Sequence, residues 1–381
     1  MRIAFVAPGY PYRGGISHFA TRLAKEFSQA HECLFINFRR LYPEFLFPGK
    51  TQFDESDRKI EFESDRVIDS IKPTSWRKAG MIIRNWKPDG LVFHWWHPFF
   101  GPVYRRICVN AGKRVPKVAI CHNVAPHDKG GLWKSAVRFG LRKMDGFVVH
   151  AHQEQAEINK LLGNTPTINL FHPIYDIFPG EDIPRSTARK KLGFRDEDRV
   201  ILYFGLIRPY KGVEVLLDAV DKLGDVEGLK VLIVGEIYSN RQEITSKIAK
   251  LPRETVMLVD KYVHNEDVAT WFRAADIVAL PYISATQSGV VPIAYRCKRP
   301  VIVTNVGGLP DVVDAGKTGY LVEPSDPETL AEAVRRHFLE LNNPDLTQGI
   351  EKKCRELSWE RYTTDLTDFI AKLAEDNHVG D

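Results

Sequence analysis

Three loop sequences carry the residue types that hold a charged ligand. The first, Pro8-Gly9-Tyr10-Pro11-Tyr12-Arg13-Gly14-Gly15-Ile16, sets two adjacent glycines at the start of a helix pattern. Gly14 and Gly15 have no side chain to keep a ligand off the backbone N–H groups, and a helix N-terminus favours an anion. The second, Phe204-Gly205-Leu206-Ile207-Arg208-Pro209-Tyr210-Lys211-Gly212, places Arg208 and Lys211 three apart at another helix start. A helix dipole contributes only about 0.3–1 kcal/mol to an exposed anion. Charge-assisted hydrogen bonds from a guanidinium or an ammonium are worth about 1.5–3 kcal/mol each, so the two cations would do most of the holding of a diphosphate. In the third, Leu280-Pro281-Tyr282-Ile283-Ser284-Ala285-Thr286-Gln287-Ser288-Gly289-Val290, a strand gives way to small polar residues, with Ser288 as an N-cap and open amides at Gly289 and Val290. A glycine turn, Asn305-Val306-Gly307-Gly308, is expected to line the same site.

Histidines mark a second kind of chemistry. His122 follows the apolar run Lys117–Cys121, where a neutral imidazole can orient a hydroxyl or stabilise charge. The run Phe93-His94-Trp95-Trp96-His97-Pro98-Phe99-Phe100 ends another strand. Aromatic faces with histidines suit sugar rings, so His94, Trp95 and Trp96, with His127, are candidates for the entrance of such a ligand, and a core aromatic cluster is the equal alternative. No metal site is expected, because His94 and His97 have no Cys or carboxylate beside them.

Parallel strands feeding helices must present these loops. Short β-branched runs at Ile3–Ala7, Cys33–Asn37, Gly90–His94, Lys117–Cys121, Gly146–His150 and Thr167–Phe171 alternate with helix-period stretches such as Ile16–Phe27 and Gln153–Leu162. A proline-rich stretch from Pro173 to Pro184 interrupts them, and the pattern restarts at Val200–Phe204. Strands follow at Lys230–Val234, Thr255–Val259, Ile277–Leu280, Pro300–Thr304 and Tyr320–Val322, and the chain ends in helices at Pro327–Leu341 and Trp359–Ala374. This is an α/β chain of two Rossmann-like domains facing each other across a cleft. Expected boundaries are 1–173, 174–355 and a terminal helix, 356–381, that crosses back to the first domain. Ligands in such sheets sit beyond the carboxyl ends of the strands.

Composition narrows the class. The 381 residues are 44% hydrophobic with a net charge of +4, which excludes a disordered chain. No apolar run approaches the ~18 residues of a membrane span, and the N-terminus reads as a strand and not a signal peptide. Five scattered cysteines point to a reducing cytoplasm. Residues 1–175 carry 26 Lys+Arg against 15 Asp+Glu, while the remainder carries 27 against 34. A basic first half suits an anionic surface. Within it, residues 132–143 put Lys134, Arg138 and Arg142 on one helical stripe beside Trp133, the layout of an interfacial helix, which predicts a peripheral place on the inner face of a membrane. No nucleic-acid recognition motif is present.

The ordered series Gly205…Lys211-Gly212, Leu232-Ile233-Val234-Gly235-Glu236, Ala275-Asp276-Ile277…Leu280-Pro281 and Pro300…Thr304-Asn305-Val306-Gly307-Gly308-Leu309-Pro310-Asp311…Gly316…Gly319 resembles the carboxyl-terminal domain of GT-B-fold retaining glycosyltransferases, family 4. The resemblance implies a nucleotide-sugar donor (UDP-, GDP- or ADP-linked), a glycan or lipid-linked acceptor, retention at the anomeric carbon, and neither metal nor other cofactor. It implies catalytic roles for His122, Arg208 and Lys211. Donor contacts fall to Gly14, Gly15, Arg208 and Lys211, then to Gly235, Glu236 and Val263, and finally to Thr286, Gln287, Ser288, Gly289 and Val290. Two departures stand out. The family's paired glutamates, eight positions apart, are Thr286 and Ala294 here, and its Arg after the first glycine is Leu206, with Arg208 two places on. The form Thr286-Gln287-Ser288-Gly289 resembles a variant branch of the same family. A missing ribose carboxylate removes ~1.5–3 kcal/mol of charged hydrogen bonding, which leaves two alternatives: a non-catalytic sugar-nucleotide-binding relic, or a GT-B-fold nucleotide-sugar epimerase.

Overall fold

The computed structural model describes residues 1–44, 47, 51–112, 114–124, 132–180, 182–224, 226–340 and 343–379. The chain divides into two compact units. The first comprises Met1–Asp54, Lys59–Phe171 and Trp359–Asp381, and the second Glu55–Arg58 and His172–Ser358.

The first unit holds a parallel seven-stranded sheet. Its strands are β1 (Arg2–Val6), β2 (Glu32–Arg40), β3 (Asp65–Asp69), β4 (Gly90–Trp95), β5 (Lys117–Cys121), β6 (Gly146–Val149) and β7 (Thr167–Asn169). They lie in the order β3-β2-β1-β4-β5-β6-β7. The central strands are apolar throughout because helices cover both faces. Ala4 and Val6 point into a core shared with the helices Pro73–Trp86, Gly101–Ala111 and Trp133–Leu141, whereas Ile3 and Phe5 point to the helices Gly15–Phe27 and Trp359–Val379. The strand period alone makes this division. Only β3 went unanticipated. Its sequence, Asp65-Arg66-Val67-Ile68-Asp69, is mostly charged, as suits an edge strand that pairs with β2 through an irregular register.

The second unit repeats the topology with β8 (Arg199–Phe204), β9 (Leu229–Val234), β10 (Val256–Val259), β11 (Ile277–Leu280), β12 (Val301–Thr304) and β13 (Gly319–Val322), in the order β10-β9-β8-β11-β12-β13. In both sheets the order reverses beside the first strand, so the loops after β1 and β4, and after β8 and β11, flank a topological switch point. Asp276, at the foot of β11, is structural. It accepts from the Val200 N–H at 2.7 Å and pairs with the buried Arg189 at 2.8 Å and with Arg185 at 2.6 Å.

Candidate functional site

Four loops at the carboxyl edge of the second sheet are fastened into one floor. The Gly205 N–H donates to Val234 O, Ile207 N–H to Glu236 O, and Tyr238 N–H to Ile207 O, joining the loops after β8 and β9. Ile283 N–H donates to Tyr210 O at 2.8 Å, Thr304 Oγ1 to Tyr282 O at 2.6 Å, and Gly308 N–H to Thr286 O at 2.8 Å, adding the loops after β11 and β12. Two glycines permit this closeness. At Gly235 (φ +154°) a Cβ would lie 1.9 Å from Gly205 O, and at Gly212 (φ +66°) it would lie 2.0 Å from Pro281 O.

Arg208 and Lys211 stand half-buried on this floor. The Arg208 guanidinium sits 4.9 Å from the centre of the Tyr238 ring, and Lys211 Nζ sits 3.7 Å from that of Tyr282. Among the described residues neither cation pairs with a carboxylate. A cation over an aromatic face gains about 0.5–2 kcal/mol. That is enough to fix the side chain while leaving its charge for an anion. The two tyrosines were not anticipated, although Tyr282 follows the Leu280-Pro281 strand end and could have been suspected there.

The remaining expected contacts divide. Glu236, Ser288 and Val263 are buried, and Thr286, Gln287 and Gly289 are half-buried. Tyr175 packs against Gly289, where a Cβ would lie 3.4 Å from its ring. Ser288 Oγ accepts the Val290 N–H at 3.2 Å, but the N-cap of the helix Val290–Arg296 is Gly289, so the serine expected as the cap stands one place before it. The same bond takes the Val290 amide out of the expected anion cradle, because its one hydrogen is already used. Ala294 is fully buried, and no carboxylate stands in for the family's second glutamate at that position.

In the first unit the loop after β1 is braced by Asn37 of β2, which accepts from the Gly9 N–H at 3.0 Å and donates to Tyr10 O at 2.9 Å. Gly14 (φ +105°) starts the helix Gly15–Phe27, which has no side-chain cap and no acid in its first turn.

His122 lies in a buried nest of rings. Its Nε2 is 2.9 Å from Nδ1 of His94, and Phe19 presents its edge to His94, His122 and His150 at centroid distances of 5.7, 5.1 and 5.5 Å. Burial pushes the His94 imidazole down to about 3 and that of His150 down to about 4, so both are neutral at physiological pH. Glu154 joins the adjoining loops by accepting from Val124 N–H at 3.2 Å and His150 N–H at 3.4 Å, and burial outweighs those two donors to push its carboxyl up to about 8.

The aromatic run is corrected. His94 and Trp95 are fully enclosed, so neither presents a face to an acceptor. Trp96 is half-buried, donates from Nε1 to the Tyr42 hydroxyl at 2.8 Å, and packs on Phe100 at 4.3 Å. Period-2 alternation cannot separate a buried strand end from a ligand wall, and tertiary packing makes it core. His97 Nδ1 accepts the Phe99 N–H, and among the described residues no three His, Cys, Asp or Glu side chains gather as metal ligands. His127 lies outside the described residues.

Residues 13–176 match the family described as Glycosyltransferase Family 4, and residues 198–339 match Glycosyl transferases group 1. The D-inositol 3-phosphate glycosyltransferase 1 of Catenulispora acidiphila is 30% identical over 201 residues, which cover 50% of this chain and 48% of that protein. The chain spans about half the length of the curated relatives it matches. Among solved structures, Anabaena HepE in complex with UDP is similar with a TM-score of 0.74 at 16% identity, over 98% of this chain and 100% of that one. The sucrose-phosphate synthase of Thermosynechococcus elongatus gives 0.71 at 19% identity over 98% of each chain. At such identities the likeness speaks for the fold.

Proposed function

Because the chain belongs to the GT-B-fold glycosyltransferases, joining a glycosyltransferase family 4 domain to a glycosyl transferases group 1 domain, we propose that it moves a sugar, with retention, from a nucleotide-sugar donor to a glycan or lipid-linked acceptor. One observation carries this reading: Arg208 and Lys211 are held over tyrosine faces on a rigid floor with no carboxylate partner among the described residues. Two fixed, unneutralised cations match a diphosphate. Arg208 and Lys211 hold the diphosphate and stabilise the charge that grows on it as the anomeric C–O bond breaks. The acceptor hydroxyl forms the new bond on the same face, and its proton passes to the departing phosphate oxygen. Within the second unit the Gly289 backbone completes the anion's surroundings, with Glu236, Thr286, Gln287 and Ser288 supplying polar contacts and Gly235 and Val263 shaping the pocket; in the first unit Gly14 and Gly15 are assigned to donor contact and His122 to the sugar, as the family resemblance implies.

The test is a panel of UDP-, GDP- and ADP-sugars, beginning with UDP-glucose because HepE is recorded with that ligand. Acceptors should include a phosphorylated inositol, given the names of the sequence relatives. NMR of the products should show a new glycoside of unchanged anomeric configuration, lost in Lys211→Ala. Donor bound but never consumed would support the binding relic, and donor epimerised without acceptor would support the epimerase.

We also propose that the first unit rests on an anionic leaflet, in keeping with a cytoplasmic enzyme that acts on a lipid-linked acceptor. Residues 70–144 contain 15 Lys+Arg and only two acids, Asp89 and Asp128, and the three packed helices Pro73–Trp86, Gly101–Ala111 and Trp133–Leu141 contain none. Met81, Val109, Leu132 and Phe139 are exposed among their cations. Trp133 packs partly on the core, so Leu132 and Phe139 are the better insertion points. No helix among the described residues is long and apolar enough to cross a membrane.

A further inference from the structure

We propose that His94 is a positioning residue that fixes the tautomer of His122, so that His122 meets its ligand as a hydrogen-bond donor through Nδ1 and not as a base. The proposal deepens the function above and rests on the place given there to His122. The two imidazoles stand at the ends of adjacent strands, β4 and β5, with His94 Nδ1 and His122 Nε2 2.9 Å apart and the ring planes 22° from parallel. Only one hydrogen fits between two neutral rings at that distance.

The question is which ring owns it. His94 is fully enclosed and stays neutral, and its other nitrogen, Nε2, is buried with no partner among the described residues. If the shared hydrogen belonged to His122, His94 would carry its own on Nε2 and bury an N–H that donates to nothing. If it belongs to His94 Nδ1, the buried orphan is a lone pair. Orphaned buried N–H groups are the rarer and more strongly avoided of the two. His94 is therefore the donor, His122 Nε2 accepts, and a neutral His122 must carry its hydrogen on Nδ1.

The surroundings hold this arrangement in place. The Tyr104 hydroxyl donates to His94 O at 2.7 Å, His122 N–H donates to Trp95 O at 2.8 Å, and Phe19 wedges its edge against both rings. A Nδ1–H can donate to a sugar hydroxyl or a phosphate oxygen, but it cannot take the acceptor's proton. That task then falls to the departing phosphate.

Long-range proton–nitrogen NMR of the full chain, labelled with 15N-histidine at pH 7.5, reads the tautomer directly. The expected result is a Nδ1–H signature for His122. His94→Asn, whose amide nitrogen falls near the place of the lost Nδ1, should preserve it and keep kcat within about threefold. His94→Leu should release a mixture of tautomers and lower kcat about tenfold, with the donor KM little changed. A Nε2–H signature for His122 in the unaltered protein overturns the proposal, whether or not His94→Leu folds. So does a His94→Leu protein whose His122 tautomer is unchanged. The spectrum needs no turnover, so failure of every donor would sink the transferase reading and leave this assignment standing.

Discussion

The two units share a strand order yet build their candidate sites from opposite materials. In the second, backbone does the work: glycines at Gly212 and Gly235 let neighbouring loops meet at carbonyl distance, and two cations stand on the resulting floor. In the first, side chains do it: His94, His122, His150 and Phe19 pack as a buried nest, and Glu154 ties two loops together from beneath. A floor of backbone tolerates a charged, solvated ligand because its contacts are already satisfied within the protein. A nest of buried rings sets tautomers and charge states instead, since removal from water is what moves a pKa. The contrast teaches that one topology can serve grip in one copy and tuning in the other.

The comparison breaks most visibly at glycine. Gly235→Ala forces a Cβ onto Gly205 O in a left-handed backbone, and should cost on the order of 3–4 kcal/mol, read as a lowered urea midpoint of the second unit. The same substitution at Gly14, whose Cβ would meet nothing within 4 Å, should cost distinctly less.

Acid sharpens the contrast next. His94 and His150 are depressed from the usual 6.5 to about 3 and about 4, so the unfolded chain binds protons that the fold refuses. Stability should therefore be lost as pH falls from 6.5 toward 4, by about 3 kcal/mol per imidazole. Glu154 works in the other direction: its carboxyl is raised to about 8, so its share of stability is lost as pH climbs from about 4.5 through 8. In the second unit His337 is likewise lowered to about 4 by burial. Six of the seven tryptophans belong to the first unit, so urea titrations followed by fluorescence should show its optimum near pH 6.

Lys211→Ala should weaken a nucleoside diphosphate by about 1.5–3 kcal/mol, or ten- to a hundredfold in calorimetry, while the lost contact with Tyr282 lowers the melting temperature by no more than about a few degrees. The smallest effect belongs to the basic helices. Reversing Lys78, Arg106 and Lys134 to Glu should reduce flotation with anionic vesicles by about 1 kcal/mol per charge and leave flotation with neutral vesicles alone. Equal recovery of both proteins on both vesicles would remove the leaflet from the account.

Much of the second site was legible in the chain. Arg208 and Lys211 are spaced for a helix mouth, and the glycines stand where loops must cross, whereas the cap expected at Ser288 falls on Gly289. The tyrosines beneath the cations were not legible, since no spacing rule links Tyr238 to Arg208 thirty residues away. In the first unit the apolar run that ends in His94, Trp95 and Trp96 reads the same whether its rings meet a sugar or a core.

Alternation and punctuation fixed the alternating elements, the parallel sheets and the ligand-bearing strand ends, because those follow from period, turn chemistry and steric freedom along the chain itself. Only the tertiary structure decided which side chains lose their water. Burial is a property of what folds over a residue from elsewhere, and it is burial that made His94 neutral, enclosed Trp95, and left Lys211 facing a ring without a carboxylate.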